Sequence, residues 1–167
     1  TMHSVSQRAN LIICFGAVVL FGVLVLNVLS RSFFPDRIDI TLTGKAHKFV
    51  NRNPVELAQV VVDLDTDLTP LFNWNTKMLF LYITAEYQTT ENVVSQVVIW
   101  DRILNDKTKA IINEKNLIKY ILIDHSGELR SANITLTFNY NVIPISGPLT
   151  RHKQGSYSFN MPVDYVQ

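Results

Sequence analysis

Cysteine is almost absent from this sequence: its 167 residues include one, Cys14, which lies inside the most apolar stretch of the chain. An intrachain disulfide is therefore excluded, and with it the small secreted scaffolds that depend on a disulfide framework. About 130 residues follow the apolar stretch, which is enough for a hydrophobic core that is stable without cross-links. The scarcity of cysteine consequently does not argue against an oxidising compartment.

Charge is scarce as well. Charged side chains make up 17% of the residues and the formal net charge is +1. The basic residues are scattered along the chain and form no stripe or cluster, whereas nucleic-acid-binding domains carry a concentrated basic surface. We therefore predict no nucleic-acid partner.

Motifs that carry chemistry are missing too. The four histidines do not lie at ligand spacing from one another or from the cysteine, so no metal site is predicted.

No Ser-x-x-Lys dyad, nucleophile elbow or phosphate-binding loop is present. His125 and Ser126 are adjacent, but the members of a catalytic triad converge from distant segments, so this pair is interpreted as part of a turn. We predict no catalytic residue and no cofactor. The histidines are His3, His47, His125 and His152.

What the sequence does contain is an uncharged apolar run of 19 residues, Leu11 to Leu29, with Asn27 as its one strongly polar member. As an α-helix the run would be roughly 28 Å long, close to the ~27 Å hydrocarbon thickness of the endoplasmic reticulum (ER) bilayer. A cleavable signal peptide is the alternative, but its apolar region is usually only about 7–15 residues long. The length favours a retained membrane anchor.

The orientation of this anchor is left open by the residues around it. Arg8 precedes the run, whereas Arg31 and Arg37 follow it, and the positive-inside rule would then keep the C-terminal part in the cytosol. The sequon Asn133-Ile134-Thr135 points the other way, because N-glycosylation takes place in the lumen.

From about Arg37 onward the pattern is typical of β-strands. Ile38, Ile40 and Leu42 alternate with polar residues, and the segment 78–87 is apolar on both faces, which predicts a central strand. Segments 117–124 and 132–142, separated by a turn at 125–128, predict a hairpin. Residues 105–116 are ambiguous, since 109–118 fit either one helical turn or an extended connection. The fold class predicted is all-β: a single N-terminal transmembrane helix followed by an antiparallel β-sandwich. The predicted strands are 38–43, 59–65, 78–87, 94–100, 117–124, 132–142 and 156–161.

Two short segments allow alternative interpretations. Asp63, Asp65 and Asp67 could suggest calcium ligands, but the glycine and distal glutamate of a calcium loop are missing, so we predict the polar exit of a strand. The segment Leu71 to Asn75 is either an apolar plug at the end of the sandwich or a surface for a partner. We favour the plug, with Trp74 buried in it.

Blocks of residues in a fixed order cover nearly the whole chain and carry a family resemblance. The most distinctive begins at Leu71 and runs through Lys77 into Ala85-Glu86-Tyr87. In these blocks the sequence resembles the signal peptidase complex subunit 3 family, while residues 105–116 match least well. The blocks are Ser6–Asn10, Leu71–Lys77, Leu79–Tyr82, Ala85–Tyr87, Ser95–Ile103, Asn133–Phe138, Asn141–Pro144 and Gly147.

The resemblance implies a topology and a role. Members of this family are ER membrane glycoproteins, single-pass and type II, with an uncleaved anchor and a lumenal C-terminal domain. They assist a separate serine-type catalytic subunit and other small membrane subunits in removing signal peptides, and are not proteases themselves. The implied division is a cytosolic N-terminus at 1–10, a transmembrane helix at 11–29, a linker at 30–36 and a lumenal β-sandwich at 37–167. Asn133 is the implied glycosylation site.

Two alternatives from other functional classes share some of these features. A single-pass adhesion or receptor-like β-sandwich protein would have the same span, sandwich and sequon, but would not travel with a signal peptidase. A membrane-tethered hydrolase would need a paired nucleophile and base, which the sequence does not provide.

Overall fold

One long helix precedes the strands. The computed structural model describes residues 4–30, 33–34, 37–90 and 92–166. Helix α1 (Val5–Ser30) has 26 residues, none of them buried. Within the described ranges it is the one helix that is long and apolar enough to cross a membrane. The predicted span 11–29 lies inside α1, whereas the predicted linker 30–36 includes residues 31–32 and 35–36, which lie outside the described residues.

The first sheet is built around a long hairpin. Strands β1 (Ile40–Arg52) and β2 (Val55–Asp67) pair antiparallel through a turn at Asn53-Pro54. Two short strands, β5 (Ile111–Leu117) and β6 (Leu122–Asp124), lie end to end along the other edge of β2. β2 is therefore the central strand of this sheet and is buried along most of its length.

The second sheet has the strand order β4-β3-β7-β8, and every pairing in it is antiparallel. Its strands are β3 (Thr76–Tyr87), β4 (Ser95–Leu104), β7 (Asn133–Pro144) and β8 (Thr150–Asn160). The prediction that 78–87 forms a central strand is confirmed, because β3 lies between β4 and β7. An apolar helix followed by antiparallel sheets in a sandwich-like arrangement confirms the predicted fold class.

The core lies between the two sheets, and alternation along the strands fills it. Leu79, Leu81 and Ile83 of β3 are fully buried, as are Leu136 and Phe138 of β7. Successive residues of a strand point to opposite faces of the sheet, so every second side chain points inward. The inward side chains of the two sheets form the core. This packing fixes the positions of the loops at both ends of the sandwich.

One prediction about connections is wrong, and one ambiguous segment is resolved. The predicted hairpin of 117–124 with 132–142 is wrong, because β6 pairs with β2 in the first sheet and β7 belongs to the second. The intervening loop crosses between the sheets, and its Leu129 is fully buried. Of the two alternatives for 109–118, the extended one is closer, because 111–117 form strand β5. A 3₁₀ turn at Lys107–Lys109, where Asp106 accepts a hydrogen bond from the Thr108 N–H at 2.9 Å, precedes it.

One end of the sandwich contacts helix α1 and the opposite end lies away from it. The β2–β3 and β7–β8 loops lie at the end that contacts α1, called here the helix-proximal end. The β1–β2 turn, the loop 125–132 and the start of β7 lie at the opposite, distal end. β7 runs from the distal end to the helix-proximal end.

Candidate functional site

At the helix-proximal end, one buried asparagine joins two loops. Asn75, which is 5% exposed, donates from Nδ2 to the carbonyl of Ser146 at 2.8 Å and accepts from the Ser146 N–H at 3.0 Å. Its backbone carbonyl accepts the Ile145 N–H at 2.7 Å. Three hydrogen bonds thus fix the β7–β8 loop against the β2–β3 loop.

The same serine connects the sandwich to the helix. The Ser146 hydroxyl donates to Oδ1 of Asn27 at 3.0 Å. Next to it the backbone of Gly147 (φ +103°) lies so close to α1 that a Cβ atom there would be 3.2 Å from Cγ2 of Val28. The one polar side chain of the apolar run therefore binds the folded domain, and glycine at 147 permits the close approach.

The segment Leu71 to Asn75 divides between the two interpretations given to it. Leu71 is buried and Phe72 packs against the core, as a plug requires. The prediction that Trp74 is buried is wrong, because its side chain is 53% exposed. The turn at Trp74-Asn75 turns Asn75 inward to bind Ser146, which leaves Trp74 on the outside.

At the distal end, Asn133 occupies the first position of β7. Its side chain is exposed, whereas Ile134 next to it is fully buried. The sequon hydroxyl of Thr135 lies 3.0 Å from the hydroxyl of Ser158 on β8. Asn133 is therefore presented to solvent at the end of the sandwich farthest from α1.

A buried carboxylate organises the same end. Glu56 of β2 is 1% exposed and accepts two hydrogen bonds: from the hydroxyl of Tyr165 to Oε1 and from the Leu129 N–H to Oε2, both at 2.8 Å. The Tyr165 oxygen accepts hydrogen bonds from Asn51 and Arg130. This network ties β2, the loop 125–132 and the C-terminal segment together.

A second carboxylate fixes the turn that contains Ser126. Asp124 accepts hydrogen bonds from the Ser126 hydroxyl at 2.6 Å, the Glu128 N–H at 3.0 Å and the Tyr87 hydroxyl at 3.2 Å. Burial opposes ionisation of Asp124, but these hydrogen bonds outweigh it and hold its pKa below the ordinary value. Burial, together with the charge of Asp124, raises the pKa of Tyr87 to about 12.

The Ser126 hydroxyl is thus engaged with a carboxylate rather than with the neighbouring imidazole. Residues 125–127 form a bend, and His125 points into solvent. A serine nucleophile needs a base that accepts its proton, whereas an ionised aspartate within a structural turn serves as a local hydrogen-bond acceptor. The interpretation of His125 and Ser126 as part of a turn is confirmed.

Comparison with known proteins places the chain in a family. The family model described as "Signal peptidase subunit" matches residues 2–164. The chain belongs to the signal peptidase subunit family. It is 56% identical to signal peptidase complex subunit 3 of Dictyostelium discoideum, with 99% of this chain and 98% of the relative covered. It is 36% identical to the Drosophila melanogaster protein of that name (99% and 98% covered) and 31% identical to the human one (89% and 87% covered).

The aspartates of β2 have partners within the protein. Asp63 accepts the Asn116 N–H at 2.7 Å, Asp65 accepts from Nδ2 of Asn113 at 3.3 Å, and Asp67 accepts the Thr69 N–H at 2.8 Å. They lie on one side of β2 and bind the neighbouring β5 and the following turn. Among the described residues, no group of three or more histidine, cysteine or acidic side chains could hold a metal ion.

Two ion pairs link the two sheets along one side. The sequence pattern did not reveal them. Arg102 of β4 donates two hydrogen bonds to the carboxylate of Glu114 on β5, each at 2.7 Å, and Lys119 contacts Asp101 at 2.7 Å. The hydrogen bonds from Arg102 lower the pKa of Glu114. Both pairs are partly exposed, so each contributes little stability, but they fix the spacing between the edges of the sheets.

Proposed function

We propose that this protein is a non-catalytic, accessory subunit of the signal peptidase of the ER, and that it supports the removal of signal peptides from nascent proteins. The observation that carries the proposal is the similarity, over nearly the full length, to proteins named signal peptidase complex subunit 3. Its partners would be the serine-type catalytic subunit and the other small membrane subunits, together with ER lipid. The domain division would follow the predicted boundaries at residues 10, 29 and 36.

The mechanism would be one of support. The β-sandwich contacts α1 directly through Ser146 and Asn27, so the domain is held at a defined height and orientation above its anchor. A neighbouring catalytic domain that packs against such a platform would be held near the membrane surface, where signal peptides emerge. Positioning of reacting groups contributes strongly to catalysis without any chemical group from the supporting protein.

A lumenal location of the sandwich agrees with the exposure of Asn133. Its side chain is exposed at the distal end of β7, away from the membrane, where a large enzyme and a bulky glycan would meet no steric obstacle. Type II topology would place the residues before α1 in the cytosol.

The topology makes a first testable prediction. In microsomes, Asn133→Gln should abolish an endoglycosidase-sensitive mobility shift of the chain, and the C-terminal domain should resist added protease until detergent is present. Asn160→Gln is the matched control, since Asn160 is exposed, pairs with Asn133 across β7 and β8, and lies outside any sequon. Digestion of the domain in intact microsomes would refute the lumenal location, and a shift that persists in Asn133→Gln would place the glycan elsewhere.

The absence of a catalytic role makes a second prediction. His125→Ala and Ser126→Ala should each leave turnover of a model secretory precursor within about twofold of the parent complex, since neither group takes part in bond breaking. The assay uses the complex purified through an affinity tag on this chain, with subunit retention measured in parallel. Loss of turnover in an assembled, folded complex would contradict the non-catalytic role. Failure of the tagged chain to co-purify a signal peptidase would favour the receptor-like alternative.

A further inference from the structure

Two neighbouring loops at the helix-proximal end expose large apolar side chains. Trp74 in the β2–β3 loop is 53% exposed, and Ile145 and Leu149 in the β7–β8 loop are 69% and 45% exposed. These three residues are called the apolar tip. Exposed apolar side chains grouped on neighbouring loops mark a candidate contact site. The height of the tip relative to the membrane span indicates what it contacts.

That height follows from the contact between Ser146 and α1. Asn27, which accepts the Ser146 hydroxyl at 3.0 Å, lies two residues before the end of the apolar run at Leu29. At 1.5 Å per residue, Asn27 is about 3 Å inside the end of the run. The backbone of Gly147 packs against Val28, one residue further along. The β7–β8 loop therefore meets the helix at the level where its apolar surface ends.

The members of the apolar tip lie close to this level. Ile145 adjoins Ser146, Leu149 follows it by three residues, and Trp74 adjoins Asn75, which is hydrogen-bonded to Ser146. Successive Cα atoms are ~3.8 Å apart, so Ile145 and Leu149 lie within about 11 Å of Ser146, while Trp74 is one residue from the hydrogen-bonded Asn75. The headgroup region of a bilayer is roughly 5–8 Å thick on each side of the hydrocarbon core. The headgroup region therefore lies within reach of the tip.

We propose that the apolar tip inserts into the headgroup region of the bilayer, in the leaflet at the C-terminal end of α1. Tryptophan is enriched at this depth because its ring is apolar with a polar N–H at one edge. Exposed basic side chains lie at the starts of the strands that follow the two loops: Lys77 of β3, three residues after Trp74, and Arg151 of β8, two residues after Leu149. Their long stems can run along apolar surface while the charged groups reach lipid phosphates.

This arrangement gives the sandwich two attachments to the membrane, the covalent one through α1 and the inserted tip. Two attachments, together with the contact between Ser146 and Asn27, restrict tilting of the domain about the end of α1. The inference rests on α1 spanning a bilayer, which is part of the proposed function, but it depends neither on the partner subunits nor on which side of the membrane the domain lies.

The two tryptophans of the sequence, Trp74 and Trp100, permit a direct test with the full chain. The wild-type protein and Trp74→Phe are reconstituted into phosphatidylcholine vesicles in which part of the lipid carries bromine atoms on the acyl chains next to the headgroup. Bromine quenches nearby tryptophan fluorescence. Trp100 is 4% exposed in the β-sandwich core, so the Trp74→Phe protein supplies the matched control without altering the core. The difference between the two proteins reports on Trp74.

The brominated lipid should reduce the Trp74 fluorescence at least about twofold, while the Trp74→Phe protein loses little. Protein that floats with the vesicles is inserted and can be tested. The proposal is overturned if, in this protein, bromine leaves the Trp74 fluorescence unchanged while an aqueous agent quenches it. It is equally overturned if Trp74 becomes shielded only when the other signal peptidase subunits are added, since a protein then covers the tip. Chain that fails to float would contradict the membrane span itself, an outcome distinct from an unquenched Trp74.

Discussion

Replacing Ile83 with alanine should lower the free energy of unfolding of the β-sandwich by about 2–5 kcal/mol. Ile83 lies in the middle of the central strand β3, is paired with both β4 and β7, and is 0% exposed. Truncating it removes apolar contacts and leaves a cavity, because its neighbours on both strands are held by the sheet. The free energy of unfolding of an ordinary domain is about 5–15 kcal/mol, so the substitution would remove a large share of it. Chemical denaturation of the full chain in detergent, followed by tryptophan fluorescence, measures the loss.

Ile103→Ala on the adjacent strand β4 is the matched control. Ile103 is the same residue type in the same sheet, but it is 60% exposed. We expect a change of less than about 0.5 kcal/mol, because surface substitutions away from special features are nearly neutral. Equal losses for Ile83→Ala and Ile103→Ala would mean that the core does not lie between the two sheets as described.

Replacing Glu56 with leucine should destabilise the domain by about 2–4 kcal/mol, although leucine is apolar and similar in size. The substitution leaves the buried N–H of Leu129 and the hydroxyl of Tyr165 without their acceptors. An unsatisfied buried donor costs about 1–3 kcal/mol, and the partly buried Tyr165 hydroxyl adds a smaller amount. Glu56→Gln keeps the shape and one acceptor oxygen, so we expect a smaller loss of about 1 kcal/mol.

The comparison of the two Glu56 variants by denaturation separates hydrogen bonding from packing. Buried ionised groups can sometimes be replaced by apolar ones at no cost. If Glu56→Leu were as stable as the parent chain, the network of Tyr165, Asn51 and Arg130 would contribute specificity at the distal end and not stability.

The sequence predicted the strands that either alternate in polarity or are apolar along their whole length. The segment 78–87 is apolar on both faces and proved to be the central strand β3, flanked by β4 and β7. β5 was ambiguous because it is a short edge strand in which one residue, Ile112, is buried and its neighbours are mostly polar. The wrong hairpin reflects a different difficulty, since local turn signals do not reveal to which sheet a three-residue strand such as β6 belongs.

Individual contact residues were harder to predict than strands. The segment around Trp74 was recognised as special, but its burial depended on the partner of Asn75, a loop 71 residues away. Glu56 carried no signal, since it precedes the predicted strand 59–65 and its partners Leu129 and Tyr165 lie 73 and 109 residues further along the chain. Such contacts are set by the topology of the two sheets, which local periodicity does not encode.

The length of β7 acts as a spacer between the bilayer and whatever meets the distal end. From Asn133 to Pro144 the strand spans up to about 37 Å, at 3.4 Å per residue. Inserting one residue would exchange the core and solvent faces of everything beyond it, since side chains alternate with a period of two. While β3 and β7 keep regular pairing, the height of Asn133 above the membrane can therefore change in steps of two residues, about 7 Å, made in both strands. A single extra residue has to be absorbed by a β-bulge, such as the register shift between Thr76 and Met78 in β3.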